Sequence, residues 1–125
     1  MWRNDLPKQE NKLYREMIDE LVNMVKTGQG QIGSNRAKEG IWNKNAKRDG
    51  ILDDQYEYNK LLKKLDQDER LVLARLLEEQ VKTGVFETLK ALENKKIKPF
   101  DEGYEGSPFE DFIGRMNDWE WPDNQ

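Results

Sequence analysis

Residues Leu65–Asn94, LDQDERLVLARLLEEQVKTGVFETLKALEN, decide the fold. Leu73, Ala74, Leu77, Val81, Gly84, Val85, Thr88, Leu89 and Leu92 recur at three- and four-residue steps, which lines small and apolar side chains along one face of a helix. Asp66 and Glu69 have the Ncap and N3 spacing of a capping box, so the helix is expected to begin there. Gly84 costs roughly 1 kcal/mol relative to Ala in a helix interior. The apolar phase runs unbroken across it, so the reading is one long helix whose glycine admits another backbone, with a break at Thr83 and Gly84 as the alternative.

Such a stripe needs cover, and the flanking sequence offers it. Asp53 or Asp54 can start a helix reaching about Lys64, with Tyr58, Leu61, Leu62 and Leu65 on its buried face, which makes a helical hairpin with the long helix. Upstream, Asp5 and Pro7 mark the start of a helix running to about Lys26. Leu13, Met17, Leu21 and Met24 form its apolar face, flanked by Tyr14, Ile18 and Val25. Glu16, Asp19, Glu20 and Asn23 face solvent, and Gly28 is the expected C′ residue. Residues 28–40, GQGQIGSNRAKEG, lack a period and read as loop. Ile41 and Trp42 anchor the chain before a basic run, KNAKRDG, so 28–50 is a glycine-rich, basic loop region.

Downstream, Pro99 forbids further helix and DEGYEG is turn-rich. Ser107, Pro108 and Glu110 occupy Ncap, N1 and N3 of a short helix whose apolar side is Phe109, Phe112, Ile113 and Met116, with Asp111 and Arg115 as an i, i+4 pair. The expected architecture is a mostly α, single-domain helical bundle with a long central helix, spanning 1–125, in which 99–125 form an acidic, aromatic C-terminal lid.

Composition narrows the chemistry. Leu, Ile, Val and Phe make up 28 of 125 residues, about 22%, just above the level at which a chain fails to bury a core, and 37% of residues are charged. Cysteine and histidine are both absent, which removes disulfides, thiolate nucleophiles, the usual zinc sites and the commonest neutral-pH base. Nowhere are there 18 consecutive apolar residues, nor is there an apolar run of signal-peptide type near residue 1, so a cytoplasmic location is expected, without membrane association.

The apparent motifs do not survive their context. Gly28, Gly30 and Gly33 spell G-x-G-x-x-G but follow a helix instead of a strand. Asn45–Tyr56 imitates a calcium loop, yet Lys47 and Tyr56 stand where oxygen ligands are required. Lys-Thr-Gly at Lys26 and at Lys82 has no S-x-x-K companion. Glu16, Asp19, Glu20, Glu78 and Glu79 lie off the apolar stripes and read as solvated, and Ser34 and Ser107 have no histidine to activate them. The basic residues Arg36, Lys38, Lys44, Lys47, Arg48, Lys95, Lys96 and Lys98 are interleaved with acids, which argues against nucleic acid.

Charge is uneven along the chain. Residues 1–98 carry 20 Lys and Arg against 17 acids, and 99–125 carry one Arg against eight acids, so balances of +3 and −7 give the net −4. Phe100, Tyr104, Phe109, Phe112, Trp119 and Trp121 place half of the twelve aromatics in the last 26 residues. These side chains either complete a lean core or form a binding surface. Trp42, Tyr104, Phe109, Phe112, Arg115, Trp119 and Trp121 are the partner- or pocket-binding candidates, being aromatic and Arg types that dominate binding hot spots.

A further signal is a resemblance. Tyr14, Ile18-Asp19 and Leu21-Val22, then Leu61-Leu62 to Leu65, Glu69-Arg70, Leu73-Ala74, Leu76-Leu77 and Leu89 to Leu92, and finally Asp111-Phe112, Arg115 and Trp119-Glu120-Trp121-Pro122 resemble a family of small bacterial domains of unknown function. Its sharpest part is the terminal D-F-x-x-R-x-x-x-W-E-W-P, and the central helix departs from the family pattern at Glu79-Gln80 and Glu87. The resemblance implies a helical fold and a bacterial source, with no activity. Taken with the residue inventory, it leads to a non-enzymatic domain that binds a protein partner or itself, without cofactor or metal. The competing reading is a small-molecule-binding protein or carboxylate-dependent enzyme with a pocket under the Trp-rich lid.

Overall fold

The computed structural model describes residues 8–96 and 107–122, and its class is mostly α. Helix α1 spans Lys8–Lys26, α2 Ile32–Glu39, α3 Asp53–Lys64, α4 Gln67–Asn94 and α5 Pro108–Met116. The expected start at Asp5 and Pro7, and the linker containing Pro99 and Phe100, lie outside the described residues. The helices divide into two compact units, one of residues 1–26 and 82–125 and one of 27–81, and α4 contributes one half to each.

Helix α4 starts as its sequence dictates. Asp66 N–H donates to Glu69 Oε1 at 2.9 Å and Glu69 N–H donates to Asp66 Oδ1 at 2.8 Å, the reciprocal capping box. The helix continues through Gly84, where the Thr88 hydroxyl donates to the Gly84 carbonyl at 2.7 Å. Among the described residues the expected close approach of another backbone is absent: a Cβ at Gly84 would meet nothing within 4 Å.

In the unit of 27–81, the core is built from Ala37, Leu62 and Ala74, with Trp42, Leu65, Leu73 and Leu77 packed around it. The segment read as loop contains helix α2. Its buried residues are small, Ser34 and Ala37, and a Cβ on Gly33 would come within 3.3 Å of the Trp42 ring. A helix that buries small side chains under a tryptophan has no large-residue period to detect. The terminating glycine is Gly40, at φ 81°, which a Cβ would strain; Gly28, at φ −105°, does not close α1 in the left-handed conformation expected of it. Arg70 lies where a side chain on residue 40 would go.

Trp42 is the anchor of the following loop. The Asn59 carboxamide oxygen accepts from the N–H groups of Trp42 and Asn43 at 2.6 and 3.0 Å, and its amide donates back to the Asn43 carbonyl at 2.7 Å. The Trp42 ring meets Tyr58 edge to face at 5.8 Å and carries the Arg36 guanidinium at 5.4 Å. Ile41, expected to share this anchoring, is exposed, and on α3 only Leu62 is buried; Tyr58 and Leu61 are exposed and Leu65 is partly covered. Over its twelve residues α3 gives this small core one fully buried side chain.

In the other unit, α1 buries Tyr14, Ile18, Val22 and Val25. This stripe is rotated by one residue from the expected Leu13, Met17, Leu21 and Met24; Leu13 is exposed, and the other three are half-buried. Tyr14 and Ile18 dominate because α5 packs on this side, burying Pro108, Asp111 and Phe112, and because Trp121 meets Tyr14 in the same layer; Leu89 of α4 is also buried. Ser107 takes the extended Ncap geometry and Pro108 the first turn, but the Ser107 hydroxyl is buried and makes no capping bond, contrary to the sequence expectation.

Two glycine substitutions test this description. Gly84→Ala is expected to stabilise by about 1 kcal/mol, raising the melting temperature by about 4 °C. Gly40→Ala is expected to lower it, since it places a side chain at a left-handed position already occupied by Arg70. Calorimetric melting of both variants checks the pair.

Candidate functional site

Asp19 sits one position off the buried stripe of α1, at the edge of the layer formed with α5. Its Oδ1 accepts from Arg115 Nε at 2.6 Å and its Oδ2 accepts from Trp121 Nε1 at 3.0 Å. Arg115 also donates through Nη1 to the Trp119 carbonyl. The Trp121 ring is held on several sides: Arg15 lies 5.2 Å and Arg115 5.6 Å from its centroid, and Tyr14 meets it edge-on at 6.1 Å. Trp121 is consequently only 2% exposed. Deeper in the layer, the Tyr14 hydroxyl donates to the fully buried carboxylate of Asp111.

The expected intrahelical Asp111–Arg115 pair is thus not what organises α5. Both residues reach across to α1 instead, Asp111 to Tyr14 and Arg115 to Asp19. Asp19, expected on the solvated face, is the acceptor that joins the two segments. Glu78, read the same way, accepts from the buried Ser34 hydroxyl at 2.7 Å and lies 3.9 Å from Lys38 Nζ.

Trp119 has a different environment. After Met116 the chain reverses, with Asn117 N–H bonded to the Ile113 and Gly114 carbonyls and Trp119 N–H to that of Gly114 at 2.9 Å. Asp118 takes φ 66°, at a cost of about 1–2 kcal/mol for a residue with a Cβ, and its carboxylate pairs with Lys26 at 3.0 Å. The Trp119 ring lies over Gly114, where a Cβ would come within 3.4 Å of it, and meets the Trp121 ring edge to face at 5.1 Å. These contacts fix Trp119, yet it stays only partly buried.

Its ring forms one wall of an open depression of about 440 Å³ lined by Phe86, Phe109, Ile113 and Trp119, with Glu110 and Asn117 as its polar members. Phe86 and Phe109 meet edge to face at 5.2 Å. The surface is apolar, aromatic and shallow, suited to an apolar side chain presented from outside.

The candidates therefore separate. Phe109 and Trp119 line the depression. Phe112 and Trp121 are buried in the layer, and Arg115 is a strut between α1 and the chain end. Trp42 packs in the other unit, and Tyr104 lies outside the described residues. Phe86 lines the depression without having been singled out from the sequence; its signal is an aromatic one residue out of phase with the Val85–Leu89 stripe.

A family model described as a family of unknown function, DUF6547, matches residues 7–123. The chain belongs to this family. Neither a curated protein nor a solved structure matches it. Among the described residues no helix is long and apolar enough to cross a membrane.

Trp121→Ala is expected to cost about 3–5 kcal/mol, as for other buried aromatics, and Asp19→Ala about 2 kcal/mol by removing the shared acceptor. Trp119→Ala should cost on the order of 1 kcal/mol. Denaturant titration of the three variants gives the order directly.

Proposed function

We propose that this chain is a non-enzymatic protein-interaction domain whose binding surface is the depression formed by Phe86, Phe109, Ile113 and Trp119. One observation carries this reading: a tryptophan immobilised by its backbone bonds and by a strained neighbour, yet left only partly buried beside two phenylalanines. Ordering an aromatic side chain before binding lowers the entropy lost on association, and such anchors supply most of the affinity at hot spots. A core tryptophan needs burial, and Trp121 already fills that role.

A small-molecule or carboxylate-dependent function would need convergent polar groups in an enclosed site. Among the described residues Glu110 is the one carboxylate lining the depression, which is open, and this supports the protein-binding reading better. The bacterial source and cytoplasmic location expected from the sequence, and the absence of nucleic-acid binding, belong to this proposal as well.

The test is affinity capture with the intact chain and with Trp119→Ala, after confirming that both have the same far-ultraviolet dichroism. A partner retained by the intact chain should be lost, by a factor of ten or more, with the variant. Equal recovery would refute the assignment of the surface.

A further inference from the structure

The chain's own contacts show what its tryptophans accept. Trp42 carries the Arg36 guanidinium at 5.4 Å, and Trp121 carries Arg15 at 5.2 Å and Arg115 at 5.6 Å. Among the described residues no cation lies on the ring of Trp119, which stays partly exposed. Arg115 bonds the Trp119 carbonyl, yet its guanidinium lies over Trp121. Trp119 is thus the described tryptophan that lacks the partner the others have.

A carboxylate stands beside it. Glu110 precedes Gly114 by four residues on α5, a spacing at which side chains share one helix face with Cβ positions about 5–6 Å apart. The Trp119 ring lies over Gly114, with ring atoms 3.4 and 3.6 Å from where a Cβ would be, so Glu110 adjoins the ring one turn toward the start of α5. Glu110 is exposed and makes no ion pair among the described residues. It is also the one charged member of the described lining; Lys82 and Lys90, one turn to either side of Phe86 on α4, are not part of it.

The apolar walls of the hollow suit an apolar stem, and the carboxylate at Glu110 selects a cationic tip. Arginine has both: methylenes to lie against Phe86 and Phe109, a flat cation to stack on an indole, and forked N–H groups that match a carboxylate. An ammonium is more strongly hydrated and makes a poorer fit to a ring and a carboxylate together. We infer that the depression receives an arginine side chain of a protein partner, its guanidinium over Trp119 and paired with Glu110. This inference rests on the interaction reading above and names the residue chemistry that the partner presents.

The probe is the tripeptide acetyl-Gly-Arg-Gly-amide, titrated into the nitrogen-15-labelled chain beside its lysine and citrulline counterparts. Citrulline has nearly the shape of arginine without its charge. The readout is the indole N–H signals, with Trp119→Phe assigning the one of interest. The arginine peptide should move the Trp119 signal with Kd on the order of 1–10 mM, as befits one anchor at an open surface, and leave that of Trp42, already covered by Arg36, in place. The citrulline peptide should bind weaker by about tenfold or more. Glu110→Gln, a change at an exposed position, should weaken the arginine peptide about fivefold and reduce the salt dependence of its binding. Citrulline or lysine bound as tightly as arginine overturns the inference, as does a Glu110→Gln chain that binds arginine undiminished. A Trp119 signal that ignores all three peptides, in a chain whose captured protein is still lost with Trp119→Ala, ends this inference and leaves the interaction reading standing. Arginine binding with capture unchanged by Trp119→Ala does the reverse.

Discussion

The carboxylate of Asp19 ties the C-terminal segment to the rest of its unit. It gives one oxygen to Arg115 and the other to the Trp121 indole, joining α1 to α5 and to the residues after it. A charged acceptor shared by two donors in a partly dehydrated layer contributes more than a neutral hydrogen bond and imposes direction on the packing. Arg115 extends the connection to the Trp119 carbonyl and shields the Trp121 ring. With that junction formed, Tyr14 and Phe112 are sealed beneath it, and the lean apolar content of the chain suffices to bury a continuous layer.

The two tryptophans of the W-E-W sequence consequently serve different ends. Although their rings touch, Trp121 lies among cations and tyrosine in the interior, and Trp119 stands on the rim of an open hollow. The question of whether the aromatic C-terminal segment is core or surface thus receives a separate answer for each residue. Burial accounts for Trp121 and Phe112. It does not account for Trp119, whose position is maintained by a left-handed Asp118 and by backbone bonds that hold its ring without covering it.

Much of the helical framework was legible because it depends on local physics. The capping box at Asp66 and Glu69, the helix from Asp53 to Lys64, the passage of α4 through Gly84 and the start of α5 at Pro108 follow from spacing, propensity and turn chemistry. Helix α2 was not legible, since a glycine–serine–alanine face carries no large apolar period and gains its reason only from Trp42 and Leu62 packed against it. Of the candidate site, Phe109 and Trp119 were identifiable by type, whereas Phe86 and Asp19 were not, because each lies beside a stripe whose cover comes from residues far along the chain.

The sequence by itself determined where α3, α4 and α5 begin, the long central helix, and the exclusion of thiol and imidazole chemistry, because these depend on neighbouring residues or on composition alone. Tertiary structure decided which of two overlapping stripes of α1 is buried, which acid is a structural acceptor, and which tryptophan faces outward. The first two choices turn on rotations of about 100° around a helix axis, the angle between successive residues, and the third on contacts made after α5 has ended. A one-residue difference leaves the sequence pattern almost unchanged and exchanges interior for surface.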